Sequence, residues 1–408
     1  MADLAVDGAR LWARLMAMAR IGAIPGDGSC RLALSDADEA GRTLFRSWCA
    51  ARGYPVTHDR IGNLFVRRAG QDDTAAPVVM GSHLDTQPTG GRFDGILGVL
   101  AGLEILETLD DAGLSTRRPV EVAVWTNEEG ARFRPAMMGS GVHCGLSDLA
   151  ATLAIADRHG ITAGAELARH GYRDGAEPGR HPIAVYVELH IEQGPILEAA
   201  GKTIGIVTGG QAIRWYQVTL TGAETHAGPV PMALRRDPVP VLARVLDLVA
   251  AVGATDTDAR ATVGVIGAEP GSINVVPGRI TLTVDLRHPD DAQLDRMHAT
   301  FMDGIAGLSG AKVRVQAENT WHSPMVRFDP DLVARVRASA ATRGYPAAGI
   351  ISGAGHDAFH LSRIVPTTMV FVPCRDGISH NPAEYAAPDH VAAGANVLLD
   401  VVRGLAGG

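Results

Sequence analysis

The chain has 408 residues, 46% of them hydrophobic and 20% charged, which is enough to bury a sizeable core and favours two domains over one. A formal net charge of −8 with scattered Lys and Arg leaves no basic stripe for phosphates, which excludes a nucleic-acid partner. No apolar run reaches bilayer-spanning length, so no membrane is expected, and the dispersed Cys30, Cys49, Cys144 and Cys374 form neither a disulfide framework nor a CxxC pair, in keeping with a cytoplasmic protein.

The opening residues 1–22 read as an amphipathic helix, with charges throughout and no signal-peptide core. A strand at 78–80 runs into Gly81-Ser82-His83-Leu84-Asp85, residues 95–109 form a helix, 120–125 is a strand ending at Thr126-Asn127-Glu128-Glu129, and 183–189 is another buried strand. Strands alternate with helices, and each strand delivers polar residues at its carboxyl end, where open α/β sheets place their sites. Only the Gly- and Ala-rich stretch 159–180 reads as an irregular connection. From 215 to 318 the order becomes strand, helix, strand, strand, helix, strand, the split β-α-β-β-α-β motif, before the α/β pattern resumes with a helix at 331–343, a strand at 367–372 and a helix from Asp389. The expected organisation is a discontinuous catalytic domain, 1–213 and 322–408, interrupted by an inserted domain, 214–321.

His83 lies just past a strand and Asp94 opens a helix, a pair able to share one cation, with the Asp85 carboxylate suited to fix the imidazole tautomer. Glu128 and Glu129 follow a buried strand directly, where two uncompensated carboxylates would repel; a metal resolves that cost, one carboxylate ligating while the other moves protons. His190 ends a strand in VELHIEQG, and His380 sits in the loop DGISHNPAEY. Together His83, Asp94, Glu129, His190 and His380 offer only imidazole and carboxylate donors, a set suited to zinc or a similar divalent ion, with a bridging Asp able to serve two.

Nearly the whole chain resembles the co-catalytic zinc amidohydrolases and peptidases related to aminoacylases and carboxypeptidases, in the branch of N-carbamoyl-L-amino-acid hydrolases, β-ureidopropionases and allantoate amidohydrolases. The matching stretches are GSHLDTQPTGGRFDGILGVLAGLEIL, WTNEEGARFRPAMMGSGV, VELHIEQGPILE, PGSINVVPGRITLTVDLRHP, SGAGHDA and DGISHNPAEY, in family order. The resemblance implies a mixed central sheet flanked by helices, with an inserted α+β ferredoxin-like domain that acts as lid and dimerisation surface of a homodimer. It implies two divalent ions per subunit, zinc first, with manganese, cobalt or nickel as alternatives. His83, Asp94 and His190 would hold one ion and Asp94, Glu129 and His380 the other, leaving Glu128 as general base and acid. His226 would polarise the scissile carbonyl, and Asn274 and Arg287 would bind the substrate; a guanidinium fork meets a carboxylate in bidentate fashion. Gln193 and the backbone around Gly355 and His356 resemble further substrate contacts.

The implied reaction is cleavage of the C–N bond of an N-carbamoyl amino acid, releasing amino acid, carbon dioxide and ammonia. Allantoate amidohydrolases, aminoacylases and dipeptidases would share the metal ligands, and a non-catalytic metal-dependent binding protein would share the fold. One departure stands out: relatives carry a GTTPM-like turn after the inserted-domain His, whereas this chain reads Gly228-Pro229-Val230-Pro231-Met232, losing two hydroxyls beside His226.

Overall fold

A computed structural model describes residues 4–407; Met1–Asp3, the start of the expected N-terminal helix, lie outside them. The chain divides into two compact units, one formed by residues up to 209 together with 327 onward, the other by 210–326. These breaks fall four and five residues from those expected at 213/214 and 321/322.

The first unit is built on a mixed sheet. Its centre is four parallel strands, in spatial order Val120–Trp125, Val78–His83, Val185–Ile191 and Thr367–Val372. Antiparallel strands continue it on both sides: Leu64–Arg68 and Val56–His58 beyond Val120–Trp125, and Ile204–Gly210 beyond Thr367–Val372. All four central strands are buried along their whole length, which explains their near-continuous apolar sequence. Helices Ile96–Asp111 and Pro388–Ala406 pack on this sheet, and the former is buried at every position from Ile96 to Leu109. The helix Gly8–Ala19 is capped by the Asp7 side chain, which accepts from the Arg10 N–H. The stretch read as irregular, 159–180, holds a two-turn helix, Ala163–Arg169, whose start is set by the Thr162 hydroxyl accepting from the Ala165 N–H; that cap went unread. No helix among the described residues is long and apolar enough to cross a membrane.

The second unit is a four-stranded antiparallel sheet in the order Arg260–Glu269, Arg279–His288, Ala212–Thr221, Arg314–Ser323. Strict alternation in Arg279–His288 buries Ile280, Leu282, Val284 and Leu286 under helices Val239–Gly253 and Asp291–Leu308. Chain order and strand order together give the ferredoxin-like split motif. Both units have their own apolar core.

Candidate active site

The carboxyl ends of the four parallel strands bring together residues from 83 to 384 of the chain. His83 ends its strand, and its Nδ1 lies 2.9 Å from the carbonyl oxygen of Asp85. His190 lies at the end of the next strand with Nδ1 2.9 Å from the carbonyl oxygen of Ile191. A carbonyl can only accept, so both imidazoles carry a proton on Nδ1 and turn Nε2 inward. There the Asp94 carboxylate waits: Oδ1 is 3.1 Å from His190 Nε2 and 3.6 Å from His83 Nε2, while Oδ2 is 3.2 Å from His380 Nε2. Glu129 Oε2 is 3.3 Å from His380 Nε2. The donor atoms of His83, Asp94 and His190 lie within 4.8 Å of one another, and so do those of Asp94, Glu129 and His380. One oxygen of Asp94 therefore serves each group.

This donor set fits divalent cations. The carboxylates create a field that only positive charge relieves. Burial pushes the His83 imidazole down, but Glu128, Asp85, Asp94 and Glu129 outweigh it and hold it well above the ordinary histidine range. Hydrogen bonding to Asp94 and then to Glu129 carries His380 up to about 11. A cation in the same place answers the same potential.

Glu128 is buried, with Oε2 3.5 Å from His83 Nε2. Burial pushes its carboxyl well above the usual range, and Asp357, Glu129 and Asp94 add to the rise while His83 opposes it. A buried carboxyl raised in this way holds a proton more readily than an ordinary glutamate, as a group that takes and returns protons must.

The tautomer-fixing role expected of the Asp85 carboxylate falls to its main chain. Its Oδ1 is 4.0 Å from His83 Nδ1, beyond hydrogen-bonding reach; Oδ1 instead accepts the Glu128 N–H and Oδ2 the Glu129 N–H, each at 3.2 Å. Gln193, expected at the substrate, bends back at φ 58° and donates from Nε2 to Asp94 Oδ2 at 2.8 Å. The His356 side chain is buried, edge-on to the His190 ring at 4.5 Å and bonded to Ser352 Oγ at 3.1 Å, while Gly355 beside it is half-buried. A third grouping, Glu188, His190 and His356, has its donors in use, since Glu188 accepts from Ser82 Oγ at 2.7 Å and from Tyr186 at 3.2 Å.

Sequence reasoning missed the supports. Glu384 accepts the N–H groups of Phe93 and Asp94 at 2.8 and 3.1 Å through Oε1 and the Ser379 hydroxyl at 2.8 Å through Oε2, and burial pushes its carboxyl up to about 7. Gln87 holds Glu129 from both its main chain and its amide, at 3.1 and 2.8 Å. Gly95, with φ 71°, passes so close to His83 that a Cβ there would sit 2.3 Å from the ring.

The second unit holds the remaining candidates. His226 lies in a two-residue strand paired with Val275–Val276, and its Nδ1 accepts the Gly228 N–H at 3.0 Å, which leaves the proton on Nε2. In the altered turn, the Arg235 guanidinium donates to the carbonyls of Val230 and Ala227. Asn274 Oδ1 accepts from Ser272 Oγ at 2.9 Å. Arg287 is held by Asp285 through Nε at 3.0 Å and Nη2 at 2.7 Å, a partner the sequence reading passed over.

A mixed α/β sheet with a histidine- and carboxylate-lined cluster at its carboxyl edge defines a metal-site hydrolase class. Residues 79–404 match Peptidase family M20/M25/M40, and the chain belongs to that family. It is 45% identical to an N-carbamoyl-L-amino-acid amidohydrolase of Rhizobium meliloti, over 97% of this chain and 96% of the relative. It is 33% identical to an allantoate amidohydrolase of Bacillus subtilis, over 95% of each. Among solved structures, an amidase of the hydantoinase/carbamoylase family from Burkholderia multivorans superposes with a TM-score of 0.92 at 52% identity, over 99% of each chain.

Proposed function

We propose that this chain is a metal-dependent amidohydrolase that cleaves the C–N bond of N-carbamoyl amino acids, releasing the amino acid, carbon dioxide and ammonia. The observation that carries the reading is Glu128, a buried carboxyl standing beside two donor groups that share Asp94. His83, Asp94 and His190 would hold one divalent ion, and Asp94, Glu129 and His380 a second, zinc by donor type, with manganese, cobalt or nickel able to take the same ligands. When bound, such ions supply Lewis acidity and bring the pKa of water toward about 7.

The rest is the work of this chain's own groups. Glu128 takes the proton from the attacking water and returns it to the leaving nitrogen. Asp85 keeps the Glu128 peptide in place through the bond to its N–H. His226, protonated on Nε2, donates to the carbonyl oxygen as negative charge develops there. Arg287 binds the substrate carboxylate, its guanidinium oriented by Asp285. The second unit also supports a homodimer, because its edge strand Arg260–Glu269 leaves Val265 and Ile266 exposed.

The test is Glu128→Gln in metal-loaded protein, assayed against N-carbamoyl, N-formyl and N-acetyl amino acids, 3-ureidopropionate and allantoate with each of the four metals. Turnover of N-carbamoyl amino acids should fall by about 10³-fold or more while bound metal is unchanged. A wild-type protein that releases no ammonia from any N-carbamoyl amino acid sinks the reading.

A further inference from the structure

The second unit's sheet has one face covered by helices and one open, and the open face carries two large aromatic side chains with no part in the chemistry above. Trp215 and Trp321 keep 44% and 37% of their surface exposed, with ring centroids 4.7 Å apart. They are cross-strand partners, and on its other side Trp215 is paired with Asp285.

The register that joins them is irregular. Arg314–Ser323 pairs residue for residue with Ala212–Thr221 as far as Asn319, then skips Thr320, so that Trp321 meets Trp215. Side chains alternate strictly between faces, so without the extra residue Trp321 would point toward the helices and Thr320 would face Trp215. The bulge is pinned in place: Asn319 Nδ2 donates to the carbonyls of Trp215 and Trp321 at 3.1 and 3.2 Å, and the Thr320 hydroxyl to that of Trp215 at 3.3 Å. A pinned bulge that turns a second indole outward leaves apolar area that packing does not reward, a local rule broken in the way binding sites break it.

Arg287 shares the open face. In Arg279–His288 the buried Val284 and Leu286 point to the helices, so Asp285 and Arg287 point away from them, and Arg287 stands one strand over and two residues along from Trp215. Such diagonal neighbours are about 7–8 Å apart at the backbone, within reach of long side chains. That separation suits a small molecule with a carboxylate at one end and a ring or branched alkyl group at the other.

We infer that Trp215 and Trp321 form the surface that selects the substrate's side chain, so that the enzyme prefers N-carbamoyl amino acids with aromatic or long apolar side chains. The inference rests on the carbamoyl-cleaving reading and on Arg287 as the carboxylate's partner. Indole faces gain dispersion contact and edge-to-face geometry with a ring, and gain almost nothing from the hydrogen or methyl of Gly and Ala derivatives.

The experiment is steady-state kinetics of full-length, metal-loaded wild type, Trp215→Ala, Trp321→Ala and the milder Trp321→Leu on N-carbamoyl-Trp, -Phe, -Leu, -Ala and -Gly, with bound metal and oligomeric state measured on each. Wild type should favour the aromatic substrates, and each Ala variant should lose about 10-fold or more in kcat/KM for them while the Ala and Gly derivatives change by less than about 3-fold. Trp321→Leu should keep Leu turnover and lose aromatic preference. A uniform loss across the series, a changed oligomeric state, or an unchanged profile overturns the inference. Wild type that cleaves none of the five overturns instead the functional reading on which it stands.

Discussion

The carboxylate of Asp85 accepts the main-chain N–H of Glu128 at 3.2 Å, and its other oxygen accepts that of Glu129 at the same distance. One side chain thus sets the peptide on which the proposed base and a proposed ligand both stand. Asp85→Ala should lower kcat about 10–100-fold with a smaller loss of bound metal, and Asp85→Asn, keeping one acceptor, should fall between. Kinetics paired with metal analysis will decide; an Asp85→Ala enzyme with undiminished kcat removes the role.

Glu384 does for Asp94 what Asp85 does for the glutamates. Its Oε1 gathers the Phe93 and Asp94 N–H groups, and Ser379 links its other oxygen to Asp94 Oδ2 at 3.2 Å. Replacing it with Ala frees the loop that carries the shared ligand. Metal affinity, read by competition with a chromogenic chelator, should drop about 10–100-fold, and an unchanged affinity would refute the assignment.

Stripping the metals should also weaken the fold. Asp94 and Glu128 are buried and Glu129 is partly buried beside them, a carboxylate cluster whose mutual repulsion a cation offsets. Metal at about 100 times its dissociation constant contributes about 2.7 kcal/mol by mass action. Thermal melting with a chelator should show a lowered Tm that re-added zinc restores; coincident melts would speak against a bound cation.

Acid sensitivity has a source outside the site. His143 is buried against Trp125 and Phe65, its Nδ1 has no hydrogen-bond partner among the described residues, and burial lowers its pKa from 6.5 to about 4. Between those values the unfolded chain binds more protons than the folded one, so stability rises with pH across the window and is lost as pH falls from about 6.5 toward 4. At pH about 5 the loss from this one group is roughly 2 kcal/mol. His143→Phe should flatten the difference in denaturant midpoint between pH about 5 and about 7.5; an unaltered slope would place the effect elsewhere.

Much of this was legible in the sequence because it is local. The strand 120–125 announces itself by an apolar run interrupted only by Glu121, the inserted unit by alternation such as Arg279–His288, and the ligand candidates by acids and imidazoles placed where buried strands end. What escaped is set by partners distant in the chain. Glu384 lies within a quoted motif, yet only folding places it under Asp94, 290 residues away. Asp85 was assigned to the ring next to it, when the preference of its carboxylate is decided by a peptide 43 residues on. The short strand Ala347–Ser352, partly exposed and without alternation, gave no periodic signal. The bond between Asp285 and Arg287 forms because the strand sets both on one face.

The interruption of the first unit by the second has a temporal meaning. On a ribosome, His83, Asp94, Glu129 and His190 emerge long before the strand Thr367–Val372 that inserts beside Val185–Ile191, and before His380 and Glu384. The inserted unit, continuous from 210 to 326, has all it needs to fold first. The donors Asp94, Glu129 and His380 thus come together only as the last segment docks, whereas His83, Asp94 and His190 all precede the inserted unit in the chain.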